Sequence, residues 1–263
     1  NDLEATYRDH GKGEAQLQHN AAFLSSDRFI HTTEVVTGSA PDPTSLVPLL
    51  EKLHQHQGFF PPKIAADQIY GNGKTRAEVA QVSQGQTQLI ALVPDYEKRT
   101  DRFVPADFTL SEDGFSLTCP NDVTTTKRYP KPGGEGDEFR YTYQMCRGCP
   151  YWLTVEQLAA NPKQDYCRVP DCQPKSHRQV FISFYRDETL AALEYNKTDQ
   201  FKQEMKQRPL IERIIFNLTH FFGARHARST GLTNANFQLS MAAAAFNLRQ
   251  LIRLPRPPKP AAA

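Results

Sequence analysis

The feature that most constrains the fold of this chain is a single acid at the edge of an apolar helical face. Apolar residues recur at helical spacing along residues 206–222, at Ile211, Ile214, Ile215, Leu218 and Phe222. Glu212 lies beside that stripe, and Arg208 precedes it by one turn. A carboxylate at the rim of a buried face is costly unless an arginine or a metal ion holds it. The segment predicts either a surface Arg208–Glu212 pair or a functional acid.

A second isolated acid lies far upstream. Residues 63–67 (KIAAD) read as a short buried strand with Asp67 at its C-terminal end. In open α/β sheets, functional groups collect at that end of the strands. The structural alternative is that Asp67 caps the following turn.

Composition and charge narrow the class of protein. The 263 residues are 39% hydrophobic and 23% charged, which fits one large domain or one domain with an insertion. We expect no membrane segment, because no apolar run is long enough to span a bilayer, and no signal peptide opens the chain. From Phe201 onward, ten Lys or Arg residues face two acids (10 − 2 = +8). This excess favours a polyanionic partner, although a solvated helix face has the same composition.

The first part of the chain predicts a mixed α/β layout. Residues 15–94 read as β-β-α-β-α-β, beginning with a hairpin of 16–25 and 28–37. Asp42 followed by Pro43 predicts the N-cap and first residue of the first helix. Residues 1–12 give no clear element.

The remainder of the chain predicts three further segments. Residues 95–178 are polar, rich in Pro and Gly, and contain all five cysteines, which indicates an inserted subdomain. Residues 179–254 read as a strand followed by helices, including the Glu212 helix and a last helix capped by Thr233 or Asn234. The proline-rich residues 255–263 predict a disordered tail. The predicted domains are therefore 1–94 and 179–254 as one core, with 95–178 as the insert.

The cysteines suggest either a metal site or reduced thiols. Cys146-x-x-Cys149 has the spacing of a zinc knuckle, and Cys167 and Cys172 form a looser second pair. Cys119 is a possible substitute ligand, and His177 a weaker one. Structural zinc would supply folding energy to a small polar insert. The alternative is five reduced cysteines, some of them packed as small hydrophobic residues.

Several short motifs, in their order and spacing, resemble the DDE transposases of bacterial insertion sequences. Ala66-Asp67-Gln68-Ile69-Tyr70-Gly71 resembles the turn around that family's second catalytic aspartate. Arg208-x-x-x-Glu212 is similar to its third-carboxylate helix, and residues 222–232 and 242–249 are similar to its C-terminal end. The chain departs from the pattern at Met205, where the family has Tyr, and at Thr219, where it has Lys.

The resemblance implies a fold and a set of site residues. The fold would be ribonuclease-H-like, a mixed sheet flanked by helices, with a small Cys-rich insertion between the second and third carboxylates. Asp67 and Glu212 would be catalytic ligands of Mg²⁺ or Mn²⁺. The first catalytic aspartate is expected on a strand before the hairpin, where residues 1–14 do not read as such a strand. We therefore expect an N-terminally truncated transposase that does not cleave or join transposon ends by itself.

The resemblance and the basic C-terminal third together imply DNA as the partner. The expected DNA contacts are Arg208, Arg213, Arg225, Arg228 and Tyr70. The protein would act as a homodimer on transposon ends and target DNA, in the bacterial cytoplasm near the nucleoid. Two alternatives stay open at this point: a catalytically inactive DNA-binding remnant, and a zinc-dependent nucleic-acid interaction module in which Asp67 and Glu212 are structural.

Overall fold

The computed structural model describes residues 2–8, 15–93, 103–151 and 177–254. The chain divides into two compact units. The first unit comprises Asn1–Leu92 and Tyr195–Ala263, and the second comprises Val93–Glu194. The fold is α/β, as the sequence predicts, with several small sheets and with helices beside them.

The first unit contains two sheets. Its strands are β1 (Thr6–Arg8), β2 (Gln16–Ser25), β3 (Ile30–Thr37), β4 (Lys63–Ala65) and β5 (Gln88–Ile90). The first three form an antiparallel sheet in the order β1-β2-β3, and β4 pairs with β5 in parallel. The hairpin, β4 and β5 are confirmed, whereas β1 falls within residues that gave no clear element in the sequence.

Helices α1 (Leu46–Gln57), α2 (Gly73–Val82), α5 (Asp199–Met205), α6 (Pro209–Phe221) and α7 (Leu232–Arg253) complete the first unit. All but α5 are predicted by the sequence. In α1 the four leucines at positions 46, 49, 50 and 53 are buried, as their spacing predicts. The helix ends at Gly58, whose φ of 74° is the left-handed conformation that glycine adopts readily.

The start of α1 differs from the prediction. A 3₁₀ turn over Asp42–Ser45 precedes the helix, and the Asp42 side chain caps neither element. The carboxylate instead accepts hydrogen bonds from Arg8 Nη2 at 2.6 Å and Asn20 Nδ2 at 2.5 Å. The N-cap prediction for Asp42 was wrong because a charged partner from β1 competes for this side chain.

Helices α6 and α7 pack against the start of β3. Their core consists of buried side chains at Ile30, Ile214, Leu218, Ala242, Ala243 and Phe246. The Asn247 side chain fixes this contact, since its amide accepts from the Ile30 N–H at 2.9 Å and donates to the Ile30 carbonyl at 2.7 Å. The rotation of α6 about its axis is therefore set by its two buried residues, Ile214 and Leu218, and by their packing against α7.

The N-terminal segment caps α7. The predicted caps Thr233 and Asn234 lie inside the helix, and the N-cap is Gly231. Asp2 Oδ2 accepts the Gly231 N–H at 2.8 Å, and Glu4 Oε2 accepts the Leu232 N–H at 2.7 Å. In most helices a neighbouring side chain accepts these first N–H groups; here two carboxylates from a distant part of the chain accept them.

The second unit is built from short strands. They are β6 (Thr109–Leu110), β7 (Leu117–Thr118), β8 (Thr124–Thr125), β9 (Arg128–Pro130), β10 (Gly136–Thr142) and β11 (His177–Ser183). Two antiparallel sheets result, in the orders β6-β7-β8 and β9-β10-β11. The unit also contains α3 (Tyr143–Cys146) and most of α4 (Arg186–Asn196), within which the division between the units falls.

The core of the second unit lies on one face of β10 and β11. It contains Phe108, Leu117, Phe139, Tyr141, Val180 and Ile182. Tyr141 donates a hydrogen bond to the Leu117 carbonyl at 2.6 Å, and burial raises the pKa of its phenol above the usual range. The predicted subdomain boundaries stay a prediction, as does the disordered tail, which lies outside the described residues.

We expect two adjacent isoleucines of α6 to contribute very differently to the stability of the protein. Ile214 is 2% exposed and Ile215 is 43% exposed. Ile214→Ala should lower the free energy of unfolding by about 3 kcal/mol, because it leaves a cavity in the core. Ile215→Ala, the matched control, should cost less than about 1 kcal/mol. Urea denaturation measures both, and equal losses would contradict the register of α6.

We also expect the Asp2 cap to depend on pH. The Gly231 N–H, then the Glu4 N–H and His19, lower the Asp2 pKa to about 2 against the opposing effect of desolvation. Its folded-state pKa lies below the unfolded value, so the stabilisation is complete above the unfolded value and is lost as pH falls toward the folded one. Asp2→Asn should therefore lower Tm at pH 7 and have a smaller effect at pH 3.

Calorimetry at the two pH values tests the Asp2 cap. Asp27→Asn is the control, because Asp27 is an exposed acid that contacts Arg28 only at 3.6 Å. A Tm difference for Asp2→Asn that is the same at both pH values would exclude the capping role.

Candidate functional site

Asp67 is positioned by the end of β4 and by the turn that follows. Its Oδ1 accepts the Gln68 N–H at 2.6 Å, so it caps the 3₁₀ turn Gln68–Tyr70. Gly71 closes this turn, and a Cβ built there would lie 1.8 Å from the Leu92 carbonyl oxygen. Only glycine permits this close approach of two backbone segments.

Arg76 holds the same turn from inside the unit. Its guanidinium donates to the carbonyls of Gly71 at 3.0 Å, Leu89 at 2.8 Å and Ala91 at 2.6 Å. Burial lowers the pKa of Arg76. This one side chain therefore ties the Asp67 turn to the end of β5.

Glu212 lies in the first turn of α6 and is exposed. An acid is favoured there, because the helix N-terminus carries partial positive charge. Within the part of the chain that the structure describes, the Glu212 carboxylate has no hydrogen bond or ion pair. Of the two alternatives for this segment, the surface Arg208–Glu212 pair is therefore not the one observed.

Arg208 pairs with the other acid. Its Nη2 lies 2.9 Å from Asp67 Oδ2, and the two side chains are 38% and 57% exposed. Exposed pairs of this kind contribute little to stability, because water screens the charges. The contact nevertheless shows that the start of α6 lies beside the end of β4.

Asp67, Arg208 and Glu212 line one cavity of about 500 Å³ in the first unit. The structure thus brings together two acids that are far apart in sequence. The other polar residues of this lining are Asn20, Asp42, Tyr70 and Thr219. The roles of Asp67 and Glu212 as metal ligands, and of Arg208 and Tyr70 as DNA contacts, stay predictions.

Asp42 and Asn20 are polar residues of the cavity that the sequence analysis did not propose for the site. Asp42 precedes a proline, which is typical of a helix start, and no local signal points to its partner Arg8. Tyr70, a predicted DNA contact, packs against the core of α1 and β4, and burial raises the pKa of its phenol.

The other predicted DNA-contacting arginines lie elsewhere on the first unit. Arg213 borders a separate cavity of about 450 Å³, together with Arg249 and Arg253. Arg225 and Arg228 are exposed between α6 and α7. None of these three predicted contacts lines the cavity of Asp67 and Glu212.

The predicted zinc ligands are described only in part. Cys119, Cys146 and Cys149 line a small cavity of the second unit, and Cys146 is buried. Cys167 and Cys172 lie outside the described residues, as does the side chain of His177. In the described ranges, no group of three or more His, Cys, Asp or Glu side chains is arranged to hold a metal ion. The zinc prediction thus has no support from the described residues.

Two arginines near Asp67 should differ in their effect on stability. Arg76→Gln should lower the free energy of unfolding by about 3 kcal/mol, because buried carbonyls lose a charged donor. Arg208→Gln should change it by less than about 1 kcal/mol, as expected for an exposed ion pair. Chemical denaturation of both variants measures the difference, and a larger loss for Arg208→Gln would contradict the described contacts.

The sequence of the chain also matches a model of a known protein family. A family model described as "Transposase DDE domain" matches residues 118–252, a range that includes Glu212 but not Asp67. No curated protein and no solved structure matches the chain. Among the described residues, no helix has the length and apolar character needed to cross a membrane.

Proposed function

Because the chain belongs to the transposase DDE domain family, we propose that it is part of an enzyme that cleaves and transfers DNA strands in the transposition of an insertion sequence. Divalent metal ions such as Mg²⁺ are the general cofactors of this family, and DNA is its substrate. The proposal for this chain assigns Asp67 and Glu212 as the metal-binding acids, within a ribonuclease-H-like fold.

The observation that carries the proposal is the shared cavity of these two acids. Asp67 lies just after strand β4, Glu212 lies in the first turn of α6, and both side chains border the same space of about 500 Å³. Two-metal phosphoryl transfer needs carboxylates brought together in this way from separate elements. The family match supports the assignment of Glu212, because it covers that residue.

The carboxylate oxygens of Asp67 and Glu212 are donor atoms of the type that a hard divalent cation binds. Carboxylate oxygens are the ligands that Mg²⁺ prefers, and it usually keeps several waters. One Asp67 oxygen accepts the Gln68 N–H, and the other faces Arg208. Asp67 would have to share or exchange its arginine partner to bind an ion. When bound, the ion would polarise the phosphodiester and activate the attacking hydroxyl or water.

The side chains around the cavity would have distinct tasks. Arg208 could move from Asp67 to a DNA phosphate, since both are anionic oxygen groups that a guanidinium binds. Arg213, Arg225 and Arg228 would neutralise phosphates away from the reacting bond. The proposal also includes a homodimer on DNA.

An inactive DNA-binding remnant is the second candidate. The Arg208–Asp67 ion pair favours it, because the guanidinium already neutralises one of the two acids. In this candidate the basic residues keep their affinity for DNA, while the acids bind no ion. Metal binding separates the two proposals.

We expect the 263-residue chain to bind Mn²⁺, used as a spectroscopic substitute for Mg²⁺, through both acids. Asp67→Asn and Glu212→Gln should each weaken binding by about tenfold or more, because each removes one charged ligand. Glu51→Gln is the matched control, since Glu51 is exposed on α1 and lines no part of the cavity. Paramagnetic resonance of free Mn²⁺ gives the affinities.

The outcomes of this experiment decide between the candidates. Weakening at Asp67 and Glu212 but not at Glu51 supports the enzyme. Binding of DNA without any Mn²⁺ binding would select the remnant. Mn²⁺ binding that is insensitive to both substitutions would reject the assignment of these acids.

A further inference from the structure

Four arginines from three separate elements border one cavity of the first unit. The cavity has a volume of about 450 Å³. Arg28 lies between β2 and β3, Arg213 belongs to α6, and Arg249 and Arg253 belong to α7. We call this cavity, with its four arginines and with Asp27 and Asn217, the arginine cleft. Its charged residues are brought together only by the packing of these elements.

The charges of the arginine cleft are unbalanced. Four arginines face one acid, Asp27, which leaves a net charge of +3 (4 − 1 = +3). Asp27 lies 3.6 Å from Arg28, and both side chains are exposed, so this ion pair is weak. The residues after Leu254 add Arg256 and Lys259 and no acidic side chain. Within the described ranges, the other three arginines have no ion pair.

Arg249 is the member of the cleft that the protein holds in place. Its Nη2 donates a hydrogen bond to Asn217 Oδ1, and its guanidinium carbon lies 5.0 Å from the centroid of the Phe222 ring. Its Nε is buried and has no hydrogen-bond acceptor in the part of the chain that the structure describes. Burying a charged donor without an acceptor costs free energy. An anion in the cleft would offset the charge of this guanidinium.

Arg213 and Arg253 keep their side-chain donors available. Both residues are exposed, and among the described residues neither side chain makes a hydrogen bond or an ion pair. A guanidinium presents its N–H groups in a planar fork that matches two oxygens of a phosphate. Arg253 follows Arg249 by four residues, so the two lie on the same face of α7. Free donors from two helices therefore border the same space.

The arginine cleft is separate from the cavity of Asp67 and Glu212. The two linings have no residue in common. Adjacent residues of a helix point about 100° apart. Glu212 therefore borders one cavity, and its neighbour Arg213 borders the other. Helix α6 thus contacts an acid-lined space and an arginine-lined space on different faces.

The number and spread of the arginines favour a polyanion over a single small anion. A carboxylate carries one charge and two oxygens, which one guanidinium can satisfy. A DNA backbone presents a row of charges with oxygens at each phosphate. The proposed reaction also joins one DNA strand to another, so two DNA segments must be held at the same time. A site for DNA apart from the two acids meets that need.

We propose that the arginine cleft binds backbone phosphates of a duplex DNA segment, at a place apart from the reacting bond. This inference rests on the proposed function, in which DNA is the partner. Arg28, Arg213 and Arg253 supply exposed donors, and Arg249 supplies a fixed positive charge. Because phosphates carry no base sequence, binding at the cleft is independent of DNA sequence.

The first test is the salt dependence of DNA binding by the full chain. The probe is a fluorescein-labelled duplex of about three helical turns, and fluorescence anisotropy is measured in EDTA so that no divalent metal ion takes part. The double variant Arg28→Gln/Arg253→Gln should reduce the slope of log K against log salt by roughly 1.8, because each phosphate contact contributes about 0.9. Its affinity at physiological salt should fall by about tenfold or more.

A second double variant controls for the general loss of positive charge. Lys127→Gln/Lys206→Gln removes the same number of charges from exposed residues that border neither the arginine cleft nor the cavity of Asp67 and Glu212. It should change the slope by less than about 0.5. Calorimetry of both double variants should give the Tm of the unchanged chain, because all four side chains are exposed.

Chemical modification of arginine locates the contact without any substitution. Phenylglyoxal reacts with accessible guanidinium groups, and mass spectrometry reports the reaction at each arginine. Saturating duplex should slow the modification of Arg28, Arg213 and Arg253 by about fivefold or more. Inorganic phosphate at the same ionic strength, the small-anion control, should give less protection than the duplex.

The proposal is overturned if the two double variants have the same salt slope, or if the duplex leaves Arg28 and Arg253 as reactive as before. Protection by inorganic phosphate but not by the duplex would also overturn it, because the cleft would then be a site for small anions. These results are independent of Mn²⁺ binding by Asp67 and Glu212, which is measured without DNA. Failure of Mn²⁺ binding together with protection of Arg28 and Arg253 would reject the metal site and support the arginine cleft.

Discussion

The burial of Ile214 and Leu218 in α6 is the constraint on which the candidate site depends. These two side chains pack against α7 and Ile30, and they fix the rotation of α6 about its axis. Given that rotation, Arg208 meets Asp67 and Glu212 borders the same cavity. A slip of one residue would rotate the helix by about 100° and move the acid away from the cavity.

The turn after β4 is also held firmly by contacts with the rest of the first unit. Arg76 donates to three carbonyls, and Gly71 allows the turn to contact Leu92 without a Cβ between them. Asp67 is therefore presented from a rigid turn, whereas Arg208 is exposed and bound through a weak ion pair. This arrangement suits the proposed site, because Asp67 is held in place while Arg208 can leave it, so that a metal ion could bind Asp67 and a phosphate could bind Arg208.

Long-range polar contacts account for most of the differences between prediction and structure. Asp42 followed by Pro43 is typical of a helix start, yet Arg8 takes the carboxylate. Asp2 and Glu4 belong to a stretch without a recognisable element, yet they cap α7. Such pairings leave no local periodicity, because neither partner is near the other in sequence.

By itself the sequence determined the α/β class, the hairpin, the positions of most helices and the transposase family. Those features follow from local periodicity, turn residues and short motifs that a reader meets in order along the chain. Only the tertiary structure decided that Arg208 pairs with Asp67 rather than Glu212, and that both acids border one cavity. These features depend on how separate elements pack together. The pattern of one segment does not show which other surface that segment will contact.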